Sequence, residues 1–376
     1  MRAALTVSVT EPNDDYWSQV EALWDMPPGD SWFEQVGTVQ QWCTLFAEKL
    51  QTRGVRWFCG EQLVGTALLT TRQGKRGPIP VRQVVVNLVP GYGFLPEHQR
   101  LMSAPGWLPS VAEGLLDLAR LEGFDELHLC GFDEASCHAV ILASRLDASS
   151  TGYFSDSPYV DLEALRTSGS AFVESRPASV RARIRRSMRE YTARYGSLQL
   201  EAASTPDERA AVRRELVQLH QQSWNARDEP GAFSSDTVHM FLDATERTAE
   251  LADTLRWVRV RSGATTIAAL IYAVHRRRVL FLQSGLRYDD SPHCRPGLVA
   301  HSMAIDWFAA DGALEYDFLG GERTTPRYKT ELSDLSRSLG FLTIPLPTPR
   351  TRIVTVLRHL RNELRARLRA APVATP

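Results

Sequence analysis

The stretch Pro296–Lys329, PGLVAHSMAIDWFAADGALEYDFLGGERTTPRYK, decides the fold of the second half of this chain. Its Pro-Gly start favours the first turn of a helix, and Gly312 marks the end of that helix. A short apolar strand, Leu314–Leu319, follows and stops at a Gly pair. Lys329 then stands out, because only three of the 43 Lys and Arg residues are lysines. A compact ammonium suits a position that needs one point charge, although a chance surface lysine is the simpler interpretation.

Worked outward from this stretch, the second half has the element order β-α-α-β-β-β-α-β-α-β. The strongest helix start is Ser204–Glu208, with a capping hydroxyl, a proline in the first turn and early acidic residues. Ser262-Gly263 predicts the turn of a hairpin. Nearly the same order appears about 190 residues earlier, without clear residue identity. The fold class expected is therefore mixed α/β in two tandem repeats, with one larger α/β domain as the alternative.

Four segments are expected along the chain. Linker signals at Ser168-Gly169-Ser170 and Pro177 place the boundary between the repeats in that region. Near the C-terminus, Ile353, Leu357, Leu360, Leu364 and Leu368 form an apolar stripe among seven arginines. The segments are a first repeat (1–163), a linker with a basic helix (164–196), a second repeat (197–347), and a basic amphipathic helix with a tail (348–376).

Composition is that of an ordinary globular protein with a sizeable core. Of the 376 residues, 43% are hydrophobic and 23% charged, and the net charge is −1, so nothing draws the whole chain to nucleic acid. The five cysteines are scattered without a Cys/His metal pattern, so no metal is expected. No signal peptide and no run of 18 apolar residues is present in the sequence, which predicts a cytoplasmic bacterial protein.

Several motifs in the second half resemble a known family. They are Tyr316-Asp317-Phe318-Leu319-Gly320 followed by Tyr328-Lys329, the basic helix around Val180–Tyr191, and His220-x-x-x-Trp224. The set is similar to the GNAT-type domain of Fem-like aminoacyl transferases and CelD-like acetyltransferases, over roughly residues 165–345. The resemblance implies two tandem GNAT-like domains, with the active cleft in the second, near the interface between the two.

The resemblance also implies an acyl-CoA donor and an amine acceptor. In such a domain the phosphates of the donor bind at the start of the helix after the fourth strand, where free amides and the helix dipole attract anions. Here this place is Arg295, Gly297 and Leu298, and an ordinary Pro-Gly helix entry is the competing interpretation. Gln283 and Ser284, at the end of the fourth strand, are the candidates for holding the thioester oxygen through backbone N–H groups.

Asp317 is the first candidate for catalysis, because an aspartate is disfavoured in an otherwise apolar strand. Two interpretations stay open: a general base with a raised pKa, or a structural ion pair with Lys329 or Arg323. Tyr328 is a candidate acid for the leaving thiolate, or a packing residue. Lys329 completes the predicted catalytic set with His220.

His220 and Trp224 share one helix face, as either a base and a wall of the acceptor cleft or a core pair. The predicted substrate-binding residues are Trp224, Arg185, Arg186, Phe318 and Gly320. The arginines of the basic helix form either a solvated face or a clamp for phosphates. The apolar stripe of the tail is expected to dock on the second repeat, with peripheral contact to an anionic membrane as the alternative.

The function expected is N-acyl transfer from acetyl-CoA or another acyl-CoA to an amine of an amino sugar, an amino acid or a peptide-like molecule. Two alternatives stay open. One is a Fem-like transferase that uses aminoacyl-tRNA, which the near-zero net charge argues against. The other is a non-catalytic accessory protein of polysaccharide or cell-envelope biosynthesis.

Overall fold

A computed structural model describes residues 5–26, 31–146, 152–321, 327–333 and 335–357 of the chain. The first half contains β1 (Thr6–Thr10), α1 (Asp14–Trp24), α2 (Val36–Phe46), β2 (Gln51–Cys59), β3 (Gln62–Arg76), β4 (Ile79–Val86), β5 (Met102–Ser103), α3 (Leu108–Leu121), β6 (Glu126–Asp133), α4 (Glu134–Ser144) and β7 (Gly152–Asp161). The connection consists of three helices joined by short turns, namely α5 (Leu162–Ser168), α6 (Phe172–Ser175) and α7 (Ala178–Tyr195).

The second half repeats this order of elements, apart from the two-residue β5 of the first half and one additional short helix, Ala249–Ala252, of the second. It contains β8 (Leu198–Ala202), α8 (Pro206–Asn225), α9 (Asp236–Arg247), α10 (Ala249–Ala252), β9 (Leu255–Ser262), β10 (Thr265–His275), β11 (Arg278–Leu286), α11 (Pro296–Ala310), β12 (Glu315–Asp317), α12 (Arg327–Leu332) and β13 (Leu335–Pro345). A last helix, α13, is described over residues 349–357. The duplicated order predicted from the sequence is confirmed.

Local signals start and end these elements as physical chemistry requires. At the start of α8, the Thr205 hydroxyl accepts from the backbone N–H of Glu208 at 3.2 Å. The Glu208 carboxylate accepts in turn from the Thr205 N–H at 3.0 Å, which completes a capping box. Gly263 has φ of +54° in the turn between β9 and β10, a conformation that glycine adopts without strain.

The strands form one continuous sheet in which the last strand of each half is exchanged. The order is β1-β2-β3-β4-β6-β13-β7-β12-β11-β10-β9-β8. β13 therefore pairs with β6 of the first half, and β7 pairs with β12 of the second. The predicted domain limits divide the chain in sequence order, whereas the sheet places β7 and β13 each in the territory of the other half.

The strand order of the second half mirrors that of the first across the middle of the sheet, and the parallel strand pairs of the two halves, β4–β6 and β11–β12, start at matching positions. The parallel pair of the first half begins at Gln83 opposite Glu126, and that of the second begins at Arg278 opposite Glu315. β7 and β13 run antiparallel to each other between these pairs. Corresponding positions of the two halves can therefore be compared residue by residue.

One hydrophobic core joins the halves, and two other large cores lie on the opposite face of the sheet, beside a small cluster of Cys130, Leu339 and Phe341. The shared core takes residues from α1, α2, α8 and α9, with Trp32 of the first half against Phe241 of the second at a centroid distance of 5.7 Å. Along β10, Ala269 and Ile271 face this core, whereas Ala268 and Leu270 face the separate core of the second half. This alternation is the period of two expected of a strand covered on both faces.

The last helix starts on the first half. Arg350 Nη1 lies 3.3 Å from a carboxylate oxygen of Asp125, and the Thr348 hydroxyl also bonds that carboxylate. Ile353, with 53% of its surface exposed, and Leu357, with 45%, are not packed on the second half, so the expected docking is wrong for these residues. The rest of the stripe lies outside the described residues. Within the described ranges, no helix combines the length and apolar character needed to cross a membrane.

Candidate active site

A pocket opens where β11 stops pairing with β12. β11 and β12 pair over only three residues, 278–280 with 315–317. Beyond them, Tyr272 pairs with Phe281 but Ile271 pairs with Gln283, so Leu282 is an extra residue that forms a β-bulge. Bulges bend a strand and end its regular pairing. The pocket beside the bulge has a volume of about 570 Å³.

Both halves line this pocket, which is the interface position that the resemblance implies. The second half contributes Trp224, Gly231, Ala232, Ser235, Val238, Phe281, Leu282, Gln283, Ser284, Leu319, Gly321, Tyr328 and Lys329. The first half contributes Pro90, Gly91, Gly93, Phe94, Leu95 and Glu97, all from the connection between β4 and α3.

The equivalent gap in the first half is filled by the chain itself. β4 carries no bulge in its pairing with β3. Past its end, the Gln99 side chain accepts from the Leu88 N–H at 2.9 Å and donates to the Cys130 carbonyl at 2.7 Å. The Gln99 backbone N–H also donates to the Gly131 carbonyl, and the Gln99 carbonyl accepts from the Asp133 N–H. The first half therefore supplies a wall for the pocket of the second, and among its described residues the equivalent position beside β4 is closed.

Lys329 and Tyr328, predicted as catalytic, both line the pocket. The Lys329 ammonium donates to the Leu319 carbonyl at 2.6 Å and lies 5.9 Å from the centre of the Phe281 ring. Burial lowers the pKa of Lys329, against the opposing charges of Glu97 and Asp317. Burial also raises the pKa of Tyr328 above its ordinary value, so its hydroxyl stays protonated.

Glu97 is a functional candidate that the sequence analysis missed. Its side chain is 2% exposed, and its carboxylate accepts from the N–H groups of Gly320 at 2.6 Å and Gly321 at 2.8 Å. Burial raises the pKa of Glu97, although His98, the two N–H groups and Lys329 all oppose this. The available signal was the long connection between β4 and α3, since compact domains rarely keep long loops without a function.

Asp317 is fully buried and does not line the pocket. Its carboxylate lies 2.7 Å from Arg278 Nη2 and 3.1 Å from His98 Nε2. Burial by itself would raise the pKa of Asp317, but the charges and hydrogen bonds of His98 and Arg278 hold it well below its usual range. The expected raised pKa is therefore wrong. The ion-pair interpretation has different partners from those expected, since Lys329 lies elsewhere and Arg323 is outside the described residues.

The Asp317 carboxylate is the centre of an ionic network across the exchanged strands. Ser157 of β7 donates to it at 2.9 Å, and Arg337 of β13 lies 3.5 Å away. Arg337 also pairs with Glu315, which in turn lies 2.8 Å from Arg278 Nε. The network ties β7, β11, β12 and β13 together directly behind the loop that carries Gly320 and Gly321.

His220 is held as a neutral, hydrogen-bonded core residue. Its Nδ1 bonds the Ser284 carbonyl at 2.9 Å, and its Nε2 accepts from the Ala232 N–H at 3.1 Å. Burial lowers the pKa of His220. With both ring nitrogens engaged, His220 positions β11 and the 231–232 segment. The Trp224 ring lies tilted against the His220 ring at a centroid distance of 5.6 Å and lines the pocket, and its role in substrate binding stays a prediction.

Gln283 and Ser284 lie where the sequence places them, at the bulged end of β11. The Ser284 N–H donates to the Gln283 side-chain oxygen at 3.0 Å. The Gln283 side chain thus occupies the donor that was predicted for the thioester oxygen, and a ligand would have to displace it.

The predicted donor residues form a separate group at the start of α11, outside the pocket lining. Arg295 is exposed, and its backbone is fixed by the Ser187 hydroxyl, which accepts from the Arg295 N–H at 2.9 Å. Arg186 reaches the segment just before α11, where it contacts His293 Nε2 at 2.6 Å. A Cβ added to Gly297 would meet nothing nearer than 3.5 Å, while Leu298 is buried.

Besides Arg186, three more of the predicted substrate-binding residues lie outside the pocket lining. Arg185 pairs with Glu174 on the surface at 2.5 Å. Phe318 is fully buried against His301, in the core of the second half. Gly320 does not line the pocket, but its backbone N–H donates to the Glu97 carboxylate.

Residues 178–330 match the family model of the acetyltransferase (GNAT) domain. The chain has the GNAT fold. Solved structures match more than nine tenths of its length at low identity. A tandem GNAT protein from the clavulanic acid biosynthesis pathway is 14% identical with a TM-score of 0.54, covering 92% of this chain and 100% of that one. L-PGS from Bacillus licheniformis is 12% identical with a TM-score of 0.51, covering 93% and 98%.

A further solved structure is the C-terminal domain of a putative lysylphosphatidylglycerol synthetase from Agrobacterium fabrum. It is 11% identical with a TM-score of 0.50, covering 91% of this chain and 95% of that domain. Such identities show a shared GNAT fold and nothing about shared substrates. A comparison with curated protein sequences found no match.

Proposed function

We propose that this protein is an N-acyltransferase that moves an acyl group from a thioester to the amine of a small acceptor. The observation that carries the proposal is the bulged end of β11, which opens a pocket faced by Tyr328 and Lys329 within the GNAT domain. A thioester lying along the unpaired edge of β11 would have its carbonyl beside these groups. The motif order favours a Fem-like or CelD-like member of this superfamily.

The donor proposed is acetyl-CoA or another acyl-CoA. Its diphosphate would bind at the start of α11, where no side chain caps the helix and where Arg186 and Arg295 lie at the surface. Arginine pairs well with phosphate oxygens because its donors form a planar fork. The open space around Gly297 suits the close approach of an anion to the backbone.

The chemistry requires two proton transfers, and the pocket has groups for both. The acceptor amine must lose protons to attack the carbonyl, and the departing thiolate must gain one. Tyr328 keeps its proton because of its raised pKa, and we assign to it the protonation of the thiolate. Asp317 and His220 act on the site by position: Asp317 supports the Gly320 loop, and His220 holds β11 at Ser284.

Calorimetric titration with CoA and acetyl-CoA tests the donor. Arg295→Ala and Arg186→Ala should each weaken binding roughly 10- to 100-fold, the effect of losing one charged hydrogen bond. Arg185→Ala is the matched control, because this arginine of the same helix pairs with Glu174 instead. If CoA and acetyl-CoA do not bind to the wild-type protein, the acyl-CoA proposal fails.

The aminoacyl-tRNA alternative finds less support in the structure. An RNA surface needs unpaired cations along a groove. On α7, Arg183 pairs with Glu331 at 2.9 Å, Arg185 with Glu174, and Arg194 with Glu190 at 3.1 Å. The charges of three of the six arginines of α7 are thus compensated, which leaves fewer cations for an RNA backbone. A non-catalytic accessory role is disfavoured because such a protein has no need to bury Glu97 and Lys329 in one pocket.

A further inference from the structure

We propose that the acceptor is a zwitterion of the α-amino-acid class, with its ammonium bound by Glu97 of the first half and its carboxylate by Lys329 of the second. This inference rests on the proposed acyl transfer and adds the chemical class of the acceptor. It also makes Glu97 the base of the reaction, so that the active site of the second half is incomplete without the first.

The first observation is that two opposite charges line one pocket without an ion pair. Neither Glu97 nor Lys329 has an opposite charge within 4.0 Å among the described residues, although the two influence each other electrostatically. Buried charges are costly unless they are paired, so proteins keep such groups mainly where a ligand completes them. A ligand with one positive and one negative end satisfies both.

The second observation concerns how Glu97 is held. Gly320 and Gly321 donate to its two carboxylate oxygens, one N–H to each. Each oxygen keeps a second lone pair, since a carboxylate accepts about four hydrogen bonds. The carboxylate is therefore fixed in direction and still able to accept from an ammonium. Lys329 has three donors, of which the Leu319 carbonyl takes one, so it too has capacity left.

The rest of the lining limits the side chain of the acceptor. Glu97 and Lys329 are the only charged residues in the described lining of the pocket. Phe94, Leu95, Trp224 and Phe281 make its walls largely apolar. An amino acid with an uncharged, apolar side chain fits this environment better than lysine or glutamate, whose side-chain charge would find no partner there.

The proton balance of the step closes with these groups. The bound ammonium gives one proton to Glu97, and the free amine attacks the thioester carbonyl to form the C–N bond. The tetrahedral intermediate loses a second proton from nitrogen as the C–S bond breaks, and the thiolate takes a proton from Tyr328. The second nitrogen proton re-protonates Tyr328, and Glu97 releases its proton to solvent. The products are an amide, a free thiol and one proton.

The test compares acceptors that differ only by the carboxylate. With acetyl-CoA as donor, thiol release and product mass are measured for phenylalanine against 2-phenylethylamine, and for leucine against isoamylamine. The amino acids should be used roughly 10- to 100-fold better in kcat/KM, the value of one charged contact. Lys329→Met should remove this preference, whereas Lys75→Met, at an exposed lysine of the β3–β4 hairpin, should keep it. Because the preference is a ratio within one sample, a partly unfolded variant still reports it.

Glu97→Gln tests the base. It should lower kcat roughly 10²- to 10⁴-fold and abolish the rise of rate with pH that follows deprotonation of Glu97. The charged groups that face Glu97 are His98 and Lys329, and the variant leaves both in place. An unchanged pH profile in Glu97→Gln would overturn this part of the proposal.

The outcomes separate the inference from the proposed function. Equal use of amines and amino acids, or equal losses on both in Lys329→Met, overturns the amino-acid class while acyl transfer stands. The amino-acid class is also overturned if acetyl-CoA binds but no thiol is released from it in the presence of any of these acceptors. Absence of acetyl-CoA binding contradicts the proposed function itself.

Discussion

Asp317 is the residue whose replacement separates a structural role from a chemical one. Because its carboxylate is buried between Arg278 and His98, Asp317→Asn should lower the free energy of unfolding by roughly 3–5 kcal/mol. Activity should fall with the folded fraction and no further. Denaturant unfolding and turnover measured on the same samples decide this, with Asp311→Asn at the exposed end of α11 as the control. Lost turnover at an unchanged unfolding midpoint would make Asp317 catalytic after all.

His220 should make stability depend on pH, because its Nε2 must be unprotonated to accept from Ala232. Its pKa is lowered in the folded state, so its contribution is complete above the unfolded value of about 6.5 and is lost as the pH falls through the folded value. The stability lost in His220→Gln should therefore shrink as the pH is lowered below about 6.5. Melting curves across pH measure this. The wild-type protein, melted at the same pH values, is the reference.

At the scale of elements, two glycines next to the site should respond differently to alanine. A Cβ at Gly285 of β11 would lie 2.3 Å from the Leu216 carbonyl of α8, whereas one at Gly297 of α11 would meet its nearest atom at 3.5 Å. Gly285→Ala should lower stability by roughly 1–3 kcal/mol by forcing α8 off the strand. Gly297→Ala should melt like the wild type and bind CoA more weakly, because only the ligand needs that space. Unchanged CoA affinity in Gly297→Ala would remove the diphosphate from this helix start.

For the whole molecule, the exchanged strands predict that neither half folds well without the other. β13 lies between β6 and β7, so a fragment of residues 1–169 lacks the strand that joins its own last two. The shared core would also be exposed. Fragments 1–169 and 170–376 should be insoluble or molten when produced separately and should associate when co-expressed, as measured by size-exclusion chromatography and thermal melting. A first fragment that unfolds cooperatively as a monomer would show that β7 can take the place of β13.

The elements were predictable because their signals are local. The capping box at Thr205 and the hairpin turn at Gly263 act over a few residues, and each marks a boundary that the structure shows. The Gly pair at 320–321 was a less exact signal, because β12 ends at Asp317, before the predicted end of this strand at Leu319. The duplicated order followed from these signals together. The stretch from Pro296 to Lys329, in the later part of the second repeat, also supplied Tyr328 and Lys329, because a rare lysine beside a tyrosine is visible in the sequence alone.

The sequence by itself determined the order of the elements, the tandem arrangement and part of the pocket wall. Only the tertiary structure decided which groups meet. Glu97 and Lys329 are more than 230 residues apart along the chain and line one pocket because the two halves share one sheet and one core. The position of Asp317 in an apolar strand suggested catalysis, yet Arg278 and His98, which belong to other elements, keep its carboxylate ionised by lowering its pKa. Electrostatic partners act through space, so a sequence shows which charges are present but not which ones are neutralised.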